Sequence, residues 1–178
     1  MALVEELAQL AATGTMGALR PDACWADIAA EYGEPEDLGR VSRKHRWPRR
    51  FAVGSVELLF CQCRTLRSLT LSLVLDSVTL PSSNRGPVRS FDSHVTESAL
   101  ASALQDRGCH WEVEEFDFGQ RNLELEPVED VRVSFAFVDR ETYDGPRLEE
   151  WILAKAGLWT MSHGVCPEPE VSGGHSRR

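Results

Sequence analysis

Leu66-Arg67-Ser68-Leu69-Thr70-Leu71-Ser72-Leu73-Val74-Leu75 carries the cleanest apolar period in the first half of the chain. Leu69, Leu71, Leu73 and Leu75 recur at every second position, and Ser68, Thr70 and Ser72 fill the alternate places. Successive side chains of a strand point to opposite faces, so this period predicts a strand with one buried and one wet face. Such strands belong to an antiparallel sheet covered on a single side.

Toward the start of the chain, Val56, Leu58 and Phe60 repeat the alternation. Phe51 and Val53 precede them across Gly54-Ser55, a hairpin-turn pair. Before these strands lies a polar, arginine-rich loop that ends near Arg50, and before that a helix from Pro21 or Asp22 to Tyr32. Trp25, Ile28, Ala29 and Tyr32 of this helix fall at i, i+3, i+4 and i+7, and Gly33 closes it. A first helix over 3–12 carries Leu3, Leu7, Leu10 and Ala11 on one stripe.

In the other direction, residues 76–93 read as a linker centred on Pro81-Ser82-Ser83-Asn84-Arg85-Gly86-Pro87. A helix capped by Ser93 or Thr96 follows, with Asp92 also a capping candidate, a stripe of Leu100, Ala103 and Leu104, and a stop at Gly108. Three strand-like runs come next: 111–118, 122–126 and 131–138, the last with Val133, Phe135 and Phe137 alternating against Arg132, Ser134 and Ala136. A final helix is expected from Pro146 to about Ala156, docked through Leu148, Trp151, Ile152 and Ala156, and a disordered tail over 161–178. The expected fold is therefore α+β, with helices covering one side of the sheet. It divides into two helix-plus-antiparallel-meander units, 1–75 and 94–160, related as a degenerate tandem repeat.

The chain has 178 residues, is 42% hydrophobic and 26% charged, and carries a formal net charge of −9. This is globular usage, and it excludes collagen-like and multi-span membrane chains. The acidic N-terminal start does not read as a secretory signal. With no apolar run of membrane-spanning length, the sequence predicts a soluble, cytoplasmic protein without membrane partners. The odd count of cysteines, 5, fits reduced thiols in that compartment better than a disulfide framework. Arginine greatly outnumbers lysine, which occurs only at positions 44 and 155, a tilt toward GC-rich bacterial coding.

Glycine-rich phosphate loops, nucleophile elbows, His-Glu-x-x-His and Cys-x-x-Cys motifs do not occur. Neither catalytic residues nor a cofactor are assigned. His94, His110 and His163 are the acid/base candidates should an enzyme be assembled from scattered residues. Asp92-Ser93-His94 holds the residue types of a triad, but adjacent side chains cannot reach triad geometry, so a helix-leading turn is expected there. Cys61-Gln62-Cys63 with Cys109-His110 is the candidate metal set. Packing of these thiols beside the leucine-rich core is preferred, and no metal is assigned.

Two charged segments remain. Arg40 to Arg50 holds Arg43, Lys44, Arg46, Trp47, Arg49 and Arg50, a pattern able to bind phosphates and stack bases. As a solvated loop it would instead be neutralised by Glu34, Glu36 and Asp37. Glu112, Glu114, Glu115 and Asp117 interleave with Trp111, Phe116 and Phe118, so aromatic anchors could sit inside an acidic rim that attracts a basic protein. Trp111 is expected in the core.

The helix, Tyr32-Gly33-Glu34-Pro35, the polar loop, and the runs Phe51 to Phe60 and Leu66 to Leu75 resemble actinobacterial intracellular proteins with a helix, a Gly-x-Pro stop and a short meander. The two-unit layout is similar in architecture to β-lactamase inhibitory protein and, per unit, to BamE-like lipoproteins. Both of these bind proteins without catalysis. The chain departs from them in lacking an export signal, a lipoprotein cysteine and a disulfide pattern, so the resemblance carries over the architecture and the idea of a protein-binding sheet, and no residue. The expected function is a non-enzymatic interaction protein of the immunity or inhibitor type, docking a basic partner on its acidic sheet. The alternatives are a nucleic-acid-binding accessory protein and an enzyme of dispersed residues.

Overall fold

The computed structural model describes residues 2–83, 86–139, 150–160 and 166. Their order is α1 (Leu3–Thr13), α2 (Trp25–Tyr32), β1 (Glu36–Arg40), β2 (Arg49–Val53), β3 (Val56–Phe60), β4 (Leu66–Ser72), β5 (Ser77–Leu80), β6 (Arg89–Asp92), α3 (Glu97–Asp106), β7 (Glu112–Phe116), β8 (Gln120–Val128), β9 (Val131–Val138) and β10 (Ile152–Thr160). Eight strands form one sheet in the order β1-β2-β3-β4-β10-β9-β8-β7, antiparallel throughout, and β5 pairs with β6 apart from it. The protein is a mixed α+β structure.

Alternation decides which side of the sheet is covered. Val131, Val133, Phe135 and Phe137 of β9 are buried, as are Leu66, Leu69 and Leu71 of β4 and Val56, Leu58 and Phe60 of β3. They join Leu7 and Leu10 of α1, Ile28 of α2, and Leu100 and Leu104 of α3 in one hydrophobic cluster. The alternate row, including Ser68, Thr70, Ser134 and Ala136, is small or polar and half-buried. The leucine period of the first half runs out sooner than its sequence implies. Leu73 is buried and its N–H donates to the Ala154 carbonyl at 2.8 Å, but β4 has ended and Leu75 is 71% exposed.

Three expectations are corrected. Residues 36–40, read as loop, form β1. Glu-Asp-Leu-Gly-Arg shows no apolar alternation because this is an edge strand, mostly exposed, with its register shifted between Asp37 and Gly39. The segment read as a linker contains the β5-β6 hairpin. It is fastened to the body by Val78 and Leu80 in the core and by Arg89, which pairs with Glu6 at 2.6 Å. At Gly54 the β2-β3 turn meets this hairpin: the Ser55 N–H donates to the Thr79 carbonyl at 2.8 Å. A Cβ on Gly54, whose φ is +61°, would lie 2.6 Å from that same oxygen, so the position requires glycine.

The largest correction concerns the end of the described chain. In place of a helix reaching Ala156, residues 152–160 are strand β10, paired with β4 on one side and β9 on the other. Residues 146–149 of the expected helix lie outside the described residues, as does the expected tail apart from Cys166. Ala, Leu and Lys favour helix, and the register shift between Leu153 and Lys155 breaks the alternation that would have marked a strand. Two flanking ladders override that local preference.

Gly157 sits inside β10 without a positive φ, and a Cβ there would meet only the Trp159 ring at 3.7 and 3.9 Å and the Leu69 carbonyl at 3.9 Å. These are ordinary contacts. Gly157→Ala is therefore expected to raise stability by about 0.4–1 kcal/mol through the unfolded chain's lost freedom. Urea denaturation checks it, and a loss of stability would show that the strand cannot accommodate a side chain at this position.

Candidate functional site

The acidic residues singled out in the sequence lie on and just after β7, an edge of the sheet. Glu112, Glu114 and Phe116 share one row of this strand, and Val113 and Glu115 the other. Val113 lies opposite the buried Leu123, so its row faces the helices. The expectation that the acids form one surface is thereby divided. Glu115 pairs with Arg121 at 2.5 Å, and Arg121 reaches Glu97 of α3 at 3.1 Å while its guanidinium lies 4.7 Å from the Trp151 ring centroid. Glu112 and Glu114 point the other way and are exposed.

Next to them, opposite Glu112, stands Glu124. It belongs to a polar ladder: Gln120 Nε2 donates to Asn122 Oδ1 at 2.9 Å, Asn122 Nδ2 to Glu124 Oε1 at 3.2 Å, and Ser134 Oγ to the same carboxylate oxygen at 2.5 Å. This ladder fixes one carboxylate beside two exposed ones. At the tip of the strand the Phe116 and Phe118 rings stack with centroids 5.4 Å apart, and Phe118 is 71% exposed. Asp117, between them, is exposed, and Trp111 packs against the core.

The arginine-rich segment spans the β1-β2 connection and the start of β2. Arg49 is salt-bridged to Asp37, and Arg50 lies 3.9 Å from Glu57. Trp47 packs against the core beside a small cleft shared with Trp25, Arg46 and Arg64, which takes its ring away from the role of an exposed stacking platform. Arg43, Lys44 and Arg46 are exposed.

A cleft of about 410 Å3 lies where β4 leaves the sheet and β10 enters it, and Asp76, Asp92, Ser93 and His94 line it. Two of its polar side chains, Ser93 and Asp92, bond to backbone groups. The Ser93 hydroxyl donates to the Leu75 carbonyl, and the His94 N–H donates to the Asp92 carboxylate at 2.7 Å. Neither Asp92 nor Ser93 caps α3, because Thr96 does, accepting from the Ala99 N–H at 3.2 Å. His110 lines other clefts, beyond the end of α3, and His163 lies outside the described residues. The structure therefore does not bring His94 and His110 together.

The candidate metal set is rearranged. Cys109 and His110 sit past the end of α3, while Cys61 and Cys63 occupy the turn joining β3 to β4. The turn closes through Cys61 N–H to the Thr65 carbonyl at 3.2 Å and Arg64 N–H to the Cys61 carbonyl at 3.0 Å, with Arg64 at a φ of 59°. Cys61 Sγ is 2.9 Å from Cys63 Sγ and 3.0 Å from Thr65 Oγ1, and Cys166 Sγ lies 3.7 Å from Cys63 Sγ. None of these cysteines is in a disulfide. Burial works to raise the Cys61 thiol, but hydrogen bonds with Cys63 and Thr65 outweigh it and bring the pKa down to about 6. The bond with Cys61 pushes Cys63 up.

Cys166, one of the five cysteines, stands outside the metal set expected from the sequence, since 103 positions separate it from Cys63. Only the β4-β10 pairing, itself hidden, brings it near. No family model matches the chain, and no curated protein or solved structure matches it either.

Proposed function

We propose that this protein is a non-enzymatic interaction module that docks a basic protein partner on the acidic β7 edge, in the manner of an immunity or inhibitor protein. Phe118 carries the reading. Acids on an edge strand also serve to discourage sheet-to-sheet association, but an aromatic ring 71% exposed and stacked on a second ring, at the end of the strand that carries Glu112 and Glu114, is the composition of a docking anchor with a charged rim. Nucleic-acid binding through residues 40–50 is the weaker reading, since Trp47 packs inward and Arg49 is tied to Asp37.

The layout supports a second inference. α2 with β1 to β4 and α3 with β7 to β10 are each a helix followed by four strands, and the sheet order is symmetric about the β4-β10 pair. We infer that the halves are copies of one unit, with α1 and the β5-β6 hairpin added.

The test is capture of a partner from native-host lysate on the full chain, followed by titration with the purified partner. Glu112→Lys combined with Glu114→Lys is expected to weaken binding at least about tenfold at low salt and to flatten its salt dependence. Phe118→Ala should weaken it at every salt concentration. Glu115 is left intact because its reversal would also break the pair with Arg121. Binding indifferent to both changes would overturn the proposal.

A further inference from the structure

Thiols of Cys61, Cys63 and Cys166 come together at one end of the sheet, with their Sγ atoms all within 4.8 Å of one another. We propose that these three cysteines form a binding site for a thiophilic d10 cation, Zn2+ in the first instance, which ties Cys166 to the β3-β4 turn.

The backbone prepares the site from two directions. The five-residue turn is held by its own hydrogen bonds and by α2, whose Trp25 N–H donates to the Arg64 carbonyl at 2.9 Å, while Leu66 N–H donates to the Ala23 carbonyl at 2.9 Å. The ligand-bearing turn is thereby built into the body of the protein. Antiparallel pairing then sets the last residues of β10 beside the first of β4, with Trp159 opposite Ser68. Cys166 follows Thr160, the end of β10, by a short span, so the topology delivers it to that turn.

The donor set selects the ion. Thiolates are soft ligands, which favours Zn2+ or Cu+ over Mg2+ and Ca2+. Sulfurs on a tetrahedral zinc with bonds of about 2.3 Å stand about 3.8 Å apart. Cys63 and Cys166, at 3.7 Å, already match that spacing, and Cys61, 2.9 Å from Cys63 and within 4.8 Å of both sulfurs, reaches it by a shift of about an ångström away from Cys63. Three thiolates leave one position, facing the Thr65 hydroxyl or water, in keeping with a site of three protein ligands and an oxygen donor. Each thiol gives its proton to solvent as it binds. This inference is independent of the docking surface on β7.

The test uses the reduced full chain titrated with Co2+ and then Zn2+. One equivalent of Co2+ is expected to produce thiolate-to-cobalt charge-transfer absorption that Zn2+ abolishes. Zn2+ should also protect Cys61, Cys63 and Cys166, but not Cys109, from alkylation read by peptide mass spectrometry. Cys63→Ser and Cys166→Ser should each weaken binding by at least about tenfold, since even second-shell changes at metal sites cost that much. Cys63 is exposed, so its replacement leaves the core intact, and far-ultraviolet circular dichroism verifies folding of both variants. Cys109→Ser is the control. Absence of the charge-transfer band, protection of other cysteines, or a Cys166→Ser variant binding like the parent would overturn the site.

Discussion

Leu158→Pro is expected to remove the cooperative unfolding transition altogether. Leu158 is fully buried in β10 and sits opposite Leu69 of β4 and Val133 of β9, so its strand is hydrogen-bonded along both edges. Proline has no N–H to give to either ladder, and its ring obstructs the neighbouring strand, which is why it is confined to edges and bulges. The analogous loss inside a helix is about 3 kcal/mol or more, and the shortened side chain adds a packing defect. Against a total stability of about 5–15 kcal/mol, the substitution strikes the only described seam between the two halves of the sheet. Circular dichroism with urea denaturation checks it. A variant that melts as one unit close to the parent would mean that β10 is dispensable, and the sheet order would have to be redrawn.

Phe60→Ala should cost about 3–5 kcal/mol, the range for truncating a buried aromatic side chain. Phe60 is fully buried at the end of β3. Its ring meets Trp25 of α2 with centroids 5.1 Å apart and Phe51 of β2 at 5.6 Å, both edge to face, and Trp25 meets Phe51 at 4.4 Å. Removing one ring of the three leaves a cavity under α2 and forfeits edge-to-face contacts beyond the lost burial. Phe60→Leu refills most of the volume and should cost far less. The comparison isolates packing from hydrophobicity: equal losses for the two variants would show that ring geometry, not volume, holds α2 on the sheet.

The legibility of these elements in the sequence varied for physical reasons. β3, β4 and β9 announce themselves because one face is buried and the other is not, so the apolar period of two survives. α3 is legible through its stripe of Leu100, Ala103 and Leu104. β1 is not, because an exposed edge strand has no core-facing row to record. β10 misleads for the opposite reason: its residues are buried by partners on both edges, and a register shift scrambles the alternation, leaving helix-like spacing at Trp151, Ile152 and Ala156. Of the candidate sites, the acidic run around β7 is plain in the sequence, but its division between two faces depends on strand phase, which puts Glu115 with Arg121 and Glu114 opposite Asn122. The thiol cluster could be read only in part. Cys-x-Cys is local, whereas the third sulfur arrives through a pairing between segments far apart in the chain.

That same pairing bears on the order of assembly during synthesis. β4 is completed at Ser72, yet its partner is not supplied until residues 152–160 have left the ribosome. For all the time in between, a leucine-rich strand lies with one rim unmatched, open to whatever other chain carries a strand of its own. The β5-β6 hairpin, whose strands lie within residues 77–92, is synthesised early in that interval. Slow elongation through the second half would prolong the exposure. The nascent chain's hazard is therefore confined to the interval between completion of β4 and emergence of β10.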